Sequence, residues 1–187
     1  MYRNSYYHNQ WHYPMYDNWS NNTWGNTLNP HYYNCYNNNW NPYLRNIKLR
    51  DYGSRPFVVN IDQATKQNTT YRTALWTGKY FQVTVMSINV GDDIGLEVHP
   101  TTDQFIRIEE GQGLVQMGDR KDKLDFQAMA YDDYAIMIPA GKWHNVTNTG
   151  NIPLKIYVIY APPEHPYGTV HETKAIAMSA EEYQLTK

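Results

Sequence analysis

The 187-residue chain contains a single cysteine, Cys35, so an internal disulfide is excluded. It has no apolar run near the ~20 residues that a membrane-spanning helix needs, so we expect no membrane partner. The N-terminus is polar and aromatic, without the apolar stretch of a secretory signal, and we expect a protein that is not exported by that route. The lone cysteine fits a reducing compartment such as the cytoplasm.

Charge of either sign is not in excess. Sixteen Lys and Arg against eighteen Asp and Glu give a formal net charge of −2. This balance gives no electrostatic basis for nucleic acid as a partner. Signatures of nucleotide-binding loops, serine hydrolases, C-x-x-C redox centres and H-E-x-x-H metalloproteases are also missing from the sequence.

The first 45 residues are poor in charge and in aliphatic side chains. Twelve of them are Asn and nine are Tyr, and only Arg3, Asp17 and Arg45 are charged. Such a segment cannot bury enough apolar surface to offset its chain entropy, so we predict a disordered tail. Exposed aromatic and Asn side chains favour contacts between chains, so the tail is interpreted either as an assembly segment or as a passive extension.

The remainder is long enough for one domain with its own core. Residues 46–70 are predicted as a linker with an apolar lead-in strand from Phe57 to Ile61. Residues 71–163 follow as short β-branched and aromatic segments, among them Ala135–Ile138 and Trp143–Asn148, with turns every 8–12 residues. This spacing predicts an all-β sandwich or barrel. Residues assigned to its filling are Ile106, Ile108, Val115 and Met137. Residues 164–187 form a C-terminal extension, with a short helix expected to start at the Ser179 cap.

One pattern, P-x-G-x-x-H-x-x-x-N, runs from Pro139 to Asn148. Pro139 and Gly141 make a tight turn, because Pro fixes its own φ and Gly tolerates a positive φ. His144 follows this turn at a fixed distance and therefore has a fixed direction. A metal ligand requires such a fixed direction.

A second pattern lies upstream, between Gly91 and Gly111. Glu97 and His99 are two residues apart, so they point to the same side of an extended segment. Residues 100–103 are predicted to turn the chain, and the next strand begins at Gln104, whose side chain can then face back toward His99. Arg107 has the opposite parity and should face away.

Together the two patterns resemble the paired motifs of the cupin family, in which the first motif reads G, H-x-H, E, G and the second reads P-x-G-x-x-H-x-x-x-N. The resemblance implies a jelly-roll β-barrel over roughly residues 71–163. It also implies one divalent metal ion (Fe, Mn, Zn, Ni or Co) on Glu97, His99, Gln104 and His144. This sequence departs from the family at two positions, with Glu97 in place of His and Gln104 in place of Glu.

The C-terminal extension resembles that of a bacterial cupin subgroup described as sugar-phosphate isomerase-like, where it folds near the barrel mouth. The resemblance places His165 and His171 as candidate substrate contacts. The stretch R-T-A-L-W-T-G, with Arg72 and Trp76, is similar to the same subgroup, and no role is assigned to these two residues.

Two functions follow as hypotheses. The first is a small-molecule metalloenzyme, either isomerase-like or Fe(II) dioxygenase-like, since two imidazoles and a carboxylate leave open positions on a metal. The second is structural: the Asn- and Tyr-rich tail resembles proteins of the bacterial endospore coat, where a homo-oligomeric barrel would be a building block. The sequence leaves open whether the protein is an enzyme.

Overall fold

A computed structural model describes residues 46–185 of the protein. The tail predicted for residues 1–45 lies outside the described residues. The described chain contains nine strands and two helices: α1 (Ile61–Gln67), β1 (Arg72–Thr77), β2 (Gln82–Ile88), β3 (Asp103–Glu110), β4 (Gln112–Gly118), β5 (Phe126–Tyr131), β6 (Ala135–Ile138), β7 (Trp143–Asn148), β8 (Leu154–Ala161), β9 (Val170–His171) and α2 (Lys174–Leu185).

The strands form two antiparallel sheets with the jelly-roll arrangement that the sequence predicts. The larger sheet has the order β6-β3-β8-β2-β1-β9, and the smaller has the order β5-β4-β7. The chain passes from one sheet to the other at Gly111, which has a φ of +97° and whose added Cβ would lie 3.3 Å from the main chain of Leu154. A glycine is therefore required at this crossing.

Alternation along β3 decides which of its side chains face the interior of the barrel. Gln104, Ile106 and Ile108 are buried, and Arg107 points outward to pair with Asp133. This parity is the predicted one.

The assignment of Met137 to the barrel filling is wrong. Its side chain is 66% exposed, while Ile136 and Ile138 face inward opposite Ile106 and Gln104 of β3. In a strand whose four residues are all apolar, alternation gives no sign of which face is buried.

The apolar segment before residue 70 differs from the expected lead-in strand. Residues 57–60 have no regular structure, and α1 follows them, capped by Asn60, whose side chain accepts a hydrogen bond from Gln63 N at 3.1 Å. Ala64 of α1 packs with Leu75 and Val85 on the outer face of the larger sheet. The run is apolar because it covers this outer face, so its hydrophobicity does not require it to be a strand.

The C-terminal helix is longer than predicted and begins earlier. It starts at Lys174, with Ala177 N donating to Thr173 O at 3.2 Å, and Ser179 lies inside it. The Ser179 hydroxyl donates to the Ala175 carbonyl at 2.9 Å. A serine inside a helix can form this bond, and the sequence pattern alone does not distinguish such a serine from a helix cap.

Within residues 46–185, no helix combines the length and apolarity needed to cross a membrane.

Candidate metal centre

The two sequence motifs are joined through their main chains. Glu97 N donates to His144 O at 3.1 Å, and His144 N donates to Glu97 O at 2.9 Å. Gly141 N, in the turn of the second motif, donates to His99 O at 2.8 Å. These three bonds hold the candidate ligands in register, although residues 94–100 form only an isolated bridge rather than a regular strand.

The direction of the His144 ring is fixed by the turn that precedes it. Gly141 has a φ of +80°, and Lys142 N closes the turn on Pro139 O at 3.2 Å. The Lys142 carbonyl lies 2.9 Å from His144 Nδ1. Because a carbonyl can only accept, Nδ1 carries a proton, and Nε2 is the nitrogen that is left to face a metal.

The second imidazole is oriented in the same manner. His99 Nδ1 lies 3.1 Å from a carboxylate oxygen of Glu164, in the C-terminal extension. A proton on Nδ1 leaves Nε2 of the neutral ring as the lone-pair nitrogen. A carboxylate behind the outer nitrogen of a histidine is a common support for metal ligation.

The two Nε2 atoms converge on one carboxylate oxygen. Glu97 Oε1 lies 3.3 Å from His99 Nε2 and 3.2 Å from His144 Nε2. The ligand atoms of these three side chains lie within 4.8 Å of one another. Two ligands bound at ~2.1 Å to one ion lie roughly 3–3.5 Å apart, so the two nitrogen–oxygen separations fit a shared metal.

Charge at the centre is set by Glu97, whose side chain is only 12% exposed. Burial by itself raises the pKa of Glu97, but the contacts with His144 and His99 and the charge of Arg72 together hold it well below its ordinary value. The carboxylate is therefore an anion and can act as a ligand.

The proton affinity of His99 is shifted in the opposite direction. Burial alone lowers the pKa of His99, but the carboxylates of Glu164 and Glu97 outweigh it and raise the pKa to about 9. In the metal-free protein this ring is therefore protonated at neutral pH, and a metal ion would have to displace that proton.

Gln104 is buried in the barrel interior, and its Oε1 accepts no hydrogen bond from any described residue. It lies opposite Tyr160 in the pairing of β3 with β8, and the Tyr160 ring packs edge-on against His99 at 5.7 Å between centroids. The structure thus places Gln104 on the same interior face as Tyr160. An unpartnered buried oxygen is costly unless something binds it.

The two C-terminal histidines lie in different surroundings. His165 is buried, and its ring meets the Tyr160 ring edge-on at 4.9 Å. Burial and the charge of Arg72 lower the pKa of His165 to about 3, so its ring is neutral. His171 lies on the edge strand β9, where it pairs with Arg72 of β1. Neither belongs to the group of three converging ligands.

Two residues of the centre received no role from the sequence. Arg72 is fully buried, and its Nη2 lies 4.0 Å from Glu97 Oε2. Glu164 supports His99 from the loop after β8. The stretch around Arg72 carried the subgroup resemblance, and that resemblance was the only sign of this residue. Glu164 begins the C-terminal extension that carried the same resemblance, but it is 65 positions from His99 and falls in neither motif.

Comparison with known proteins agrees with this geometry. The family described as "Cupin domain" matches residues 84–160, a range that contains both motifs. The chain is similar to protein YrkC of Bacillus subtilis (strain 168), with 68% identity over 138 residues, 74% of each chain. It is also similar to protein L612 of Acanthamoeba polyphaga mimivirus, with 38% identity over 115 residues, 61% of this chain and 70% of the relative.

A solved structure extends the comparison to the fold. The crystal structure of BH2720 from Bacillus halodurans is 69% identical in sequence and superposes with a TM-score of 0.69. The match covers 70% of this chain and 98% of that one.

Proposed function

Because this chain belongs to the cupin superfamily, we propose that it is a metal-dependent enzyme acting on a small molecule inside the barrel. Glu97, His99 and His144 would hold one divalent ion, with Gln104 as a weaker fourth ligand. The observation that carries the proposal is the convergence of two histidine Nε2 atoms on one buried carboxylate oxygen, at 3.3 and 3.2 Å.

The three ligands limit which metal ions and which reactions suit the centre. Two imidazoles and one carboxylate suit Fe(II), Mn, Zn, Ni or Co and leave positions open for a substrate. When bound, such an ion would supply either polarisation of a substrate oxygen, as an isomerase needs, or a site for O₂ chemistry if it is Fe(II).

The protein residues have separate roles in this proposal. Glu164 and the Lys142 carbonyl orient the two rings by accepting hydrogen bonds from their Nδ1–H groups. The Glu97 anion would offset part of the positive charge of the metal. It also lies beside Arg72 and offsets the charge of that buried guanidinium. Ile106 and Val158, both fully buried, exclude water from the barrel interior.

Metal content tests the proposal. The full chain is purified without added metal, and its metals are measured by mass spectrometry. We expect close to one equivalent of a divalent transition metal in the wild type and a loss of that metal in His99→Ala and His144→Ala. His171→Ala is the matched control, since it removes a histidine outside the group of three, and it should retain the metal.

Circular dichroism of the same samples establishes that the variants remain folded. A folded wild-type protein that takes up no metal, even after incubation with Fe(II), Mn(II) or Zn(II), would contradict the enzyme and leave the structural hypothesis. Oxygen consumption by the Fe(II)-loaded protein, compared with the Zn(II)-loaded protein, then separates the dioxygenase from the isomerase.

A further inference from the structure

Arg72 is a buried cation with unused hydrogen-bond donors. Its side chain is fully buried, and Nη1 donates to Glu181 of α2 at 2.8 Å. Neither Nε nor Nη2 has a hydrogen-bond partner among the described residues. A guanidinium keeps its charge in proteins, so these two donors are charged N–H groups without acceptors, an arrangement that is costly unless a ligand supplies them.

The two unused atoms form one edge of the guanidinium. Nε–H and the adjacent Nη2–H point in parallel from that edge, and Nη1, which Glu181 holds, lies on the other side. A pair of parallel donors matches the two oxygens of a carboxylate. Nη2 is also the atom that lies 4.0 Å from Glu97 Oε2, so one end of the free edge lies beside a candidate metal ligand.

A third unused donor lies in the same interior. The Tyr160 hydroxyl is buried and has no hydrogen-bond partner in the described part of the chain. A tyrosine hydroxyl carries a proton at neutral pH and can donate it in a hydrogen bond. Its ring lies 5.7 Å from the His99 ring and 4.9 Å from the His165 ring, which places the tyrosine next to the metal centre.

We propose that Arg72 and Tyr160 bind the carboxylate of a small organic acid beside the metal centre. The inference rests on the proposed function, because the metal would hold the reacting part of the same molecule. Arg72 would take the carboxylate in a bidentate manner through Nε and Nη2, and Tyr160 would donate to one of its oxygens.

The charges around the centre favour a carboxylate over a phosphate. Glu97 and Glu181 already lie beside the Arg72 guanidinium, at 4.0 and 2.8 Å, and Glu164 lies beside His99. A phosphate dianion would meet more repulsion from these carboxylates than a singly charged acid does.

Binding of three small probes tests the inference. Pyruvate carries the carboxylate, pyruvamide is its neutral counterpart, and inorganic phosphate is the competing anion. Each is titrated calorimetrically into the full-length protein, with its metal and after metal removal. We expect pyruvate to bind and pyruvamide and phosphate to bind at least tenfold more weakly, since pyruvamide lacks the negative charge and phosphate carries more of it among the glutamates.

Three variants assign the binding to named side chains. Arg72→Lys keeps the charge and removes the fork, so pyruvate affinity should fall at least tenfold. Tyr160→Phe keeps the packing and removes one donor, so affinity should fall roughly three- to tenfold. Arg107→Lys, which alters an arginine on the outside of the barrel, should leave affinity unchanged.

Three results would overturn the inference. The first is no pyruvate binding by the wild type up to about 10 mM. The second is binding of pyruvamide or phosphate as tight as that of pyruvate, and the third is full pyruvate affinity in both Arg72→Lys and Tyr160→Phe.

The metal content of the same preparations keeps this test separate from the proposed function. A wild-type protein that takes up no metal but binds pyruvate through Arg72 would refute the metalloenzyme and retain the carboxylate site, whereas a metal-loaded protein that binds none of the probes would do the reverse.

Discussion

His99 Nδ1 lies 3.1 Å from the carboxylate of Glu164, so a residue of the C-terminal extension orients a ligand of the first sequence motif. The extension was expected to contribute to a substrate site through its histidines. The contact that the structure shows at Glu164 is with the back of a candidate metal ligand. The loop after β8 is therefore part of the centre, and its removal should disturb the centre even though it contains none of the predicted metal ligands.

Glu97 replaces the neutral ligand that is usual at its position, so its charge should matter more than its reach. Glu97→Gln keeps the shape and removes the anion. We expect at least a tenfold loss of divalent-metal affinity, or about 1.4 kcal/mol, measured by competition with a coloured chelator. Glu172→Gln, an exposed substitution of the same kind, is the control. Unchanged affinity in Glu97→Gln would reduce the centre to two histidines and a glutamine.

The pH dependence of stability should report on His99. In the metal-free protein its pKa is raised from an ordinary 6.5 to about 9 by Glu164 and Glu97, against the opposing effect of burial. Between pH 6.5 and 9 the folded protein holds a proton that the unfolded chain has lost. The resulting stabilisation is complete below pH 6.5 and is lost as the pH rises to 9, on the order of 3 kcal/mol.

Denaturant unfolding of the chelator-treated protein at pH 6.5 and pH 9 measures this loss. Glu164→Gln removes one of the two carboxylates that raise the His99 pKa, so the variant should lose less stability over the same interval. An equal loss in the wild type and in Glu164→Gln would show that another group causes the pH dependence.

The sequence could predict that Glu97, His99 and His144 face one another, because a turn of fixed geometry and a two-residue spacing determine local direction. The strands β6 and β7 likewise have the predicted bounds, Ala135–Ile138 and Trp143–Asn148. Arg72 could not be given a role in this way. Its partner Glu181 is 109 positions away, and a contact of that separation is set by how the strands and α2 pack.

The helix α1 could not be predicted from hydrophobicity for a related reason. The predicted strand from Phe57 to Ile61 is apolar because it covers Leu75 and Val85 on the outer face of the larger sheet. Apolar segments that pack over a sheet and apolar segments within it have similar composition, and short runs do not show a period that separates them.

The aromatic tail should control self-association. A chain starting at Asn46 retains all four candidate metal ligands, so it should fold and bind metal as the full chain does. It loses nine tyrosines and four tryptophans from residues 1–45, a segment too poor in aliphatic side chains to form a core. We expect the full chain to form assemblies larger than a small symmetric oligomer, and the shortened chain not to, when both are compared by light scattering. The same small oligomer from both chains would make the tail a passive extension.

The last residue of the second motif, Asn148, should act on stability and not on metal binding. Its side chain is buried, and its Nδ2 donates to Ile88 O at 3.0 Å and to Ile152 O at 2.9 Å. Its Oδ1 accepts from Gly150 N at 2.9 Å. These bonds tie the end of β7 to β2 and to the loop before β8.

Asn148→Ala leaves two carbonyls and one N–H without this partner, so unfolding should become easier by about 2–4 kcal/mol. Asn151→Ala, an exposed substitution in the neighbouring loop, should change stability by less than about 0.5 kcal/mol. Chemical denaturation measures both, and metal titration of the folded Asn148→Ala protein should give wild-type affinity, because none of the three bonds reaches a candidate ligand. A loss of metal affinity with stability intact would instead assign Asn148 to the centre itself.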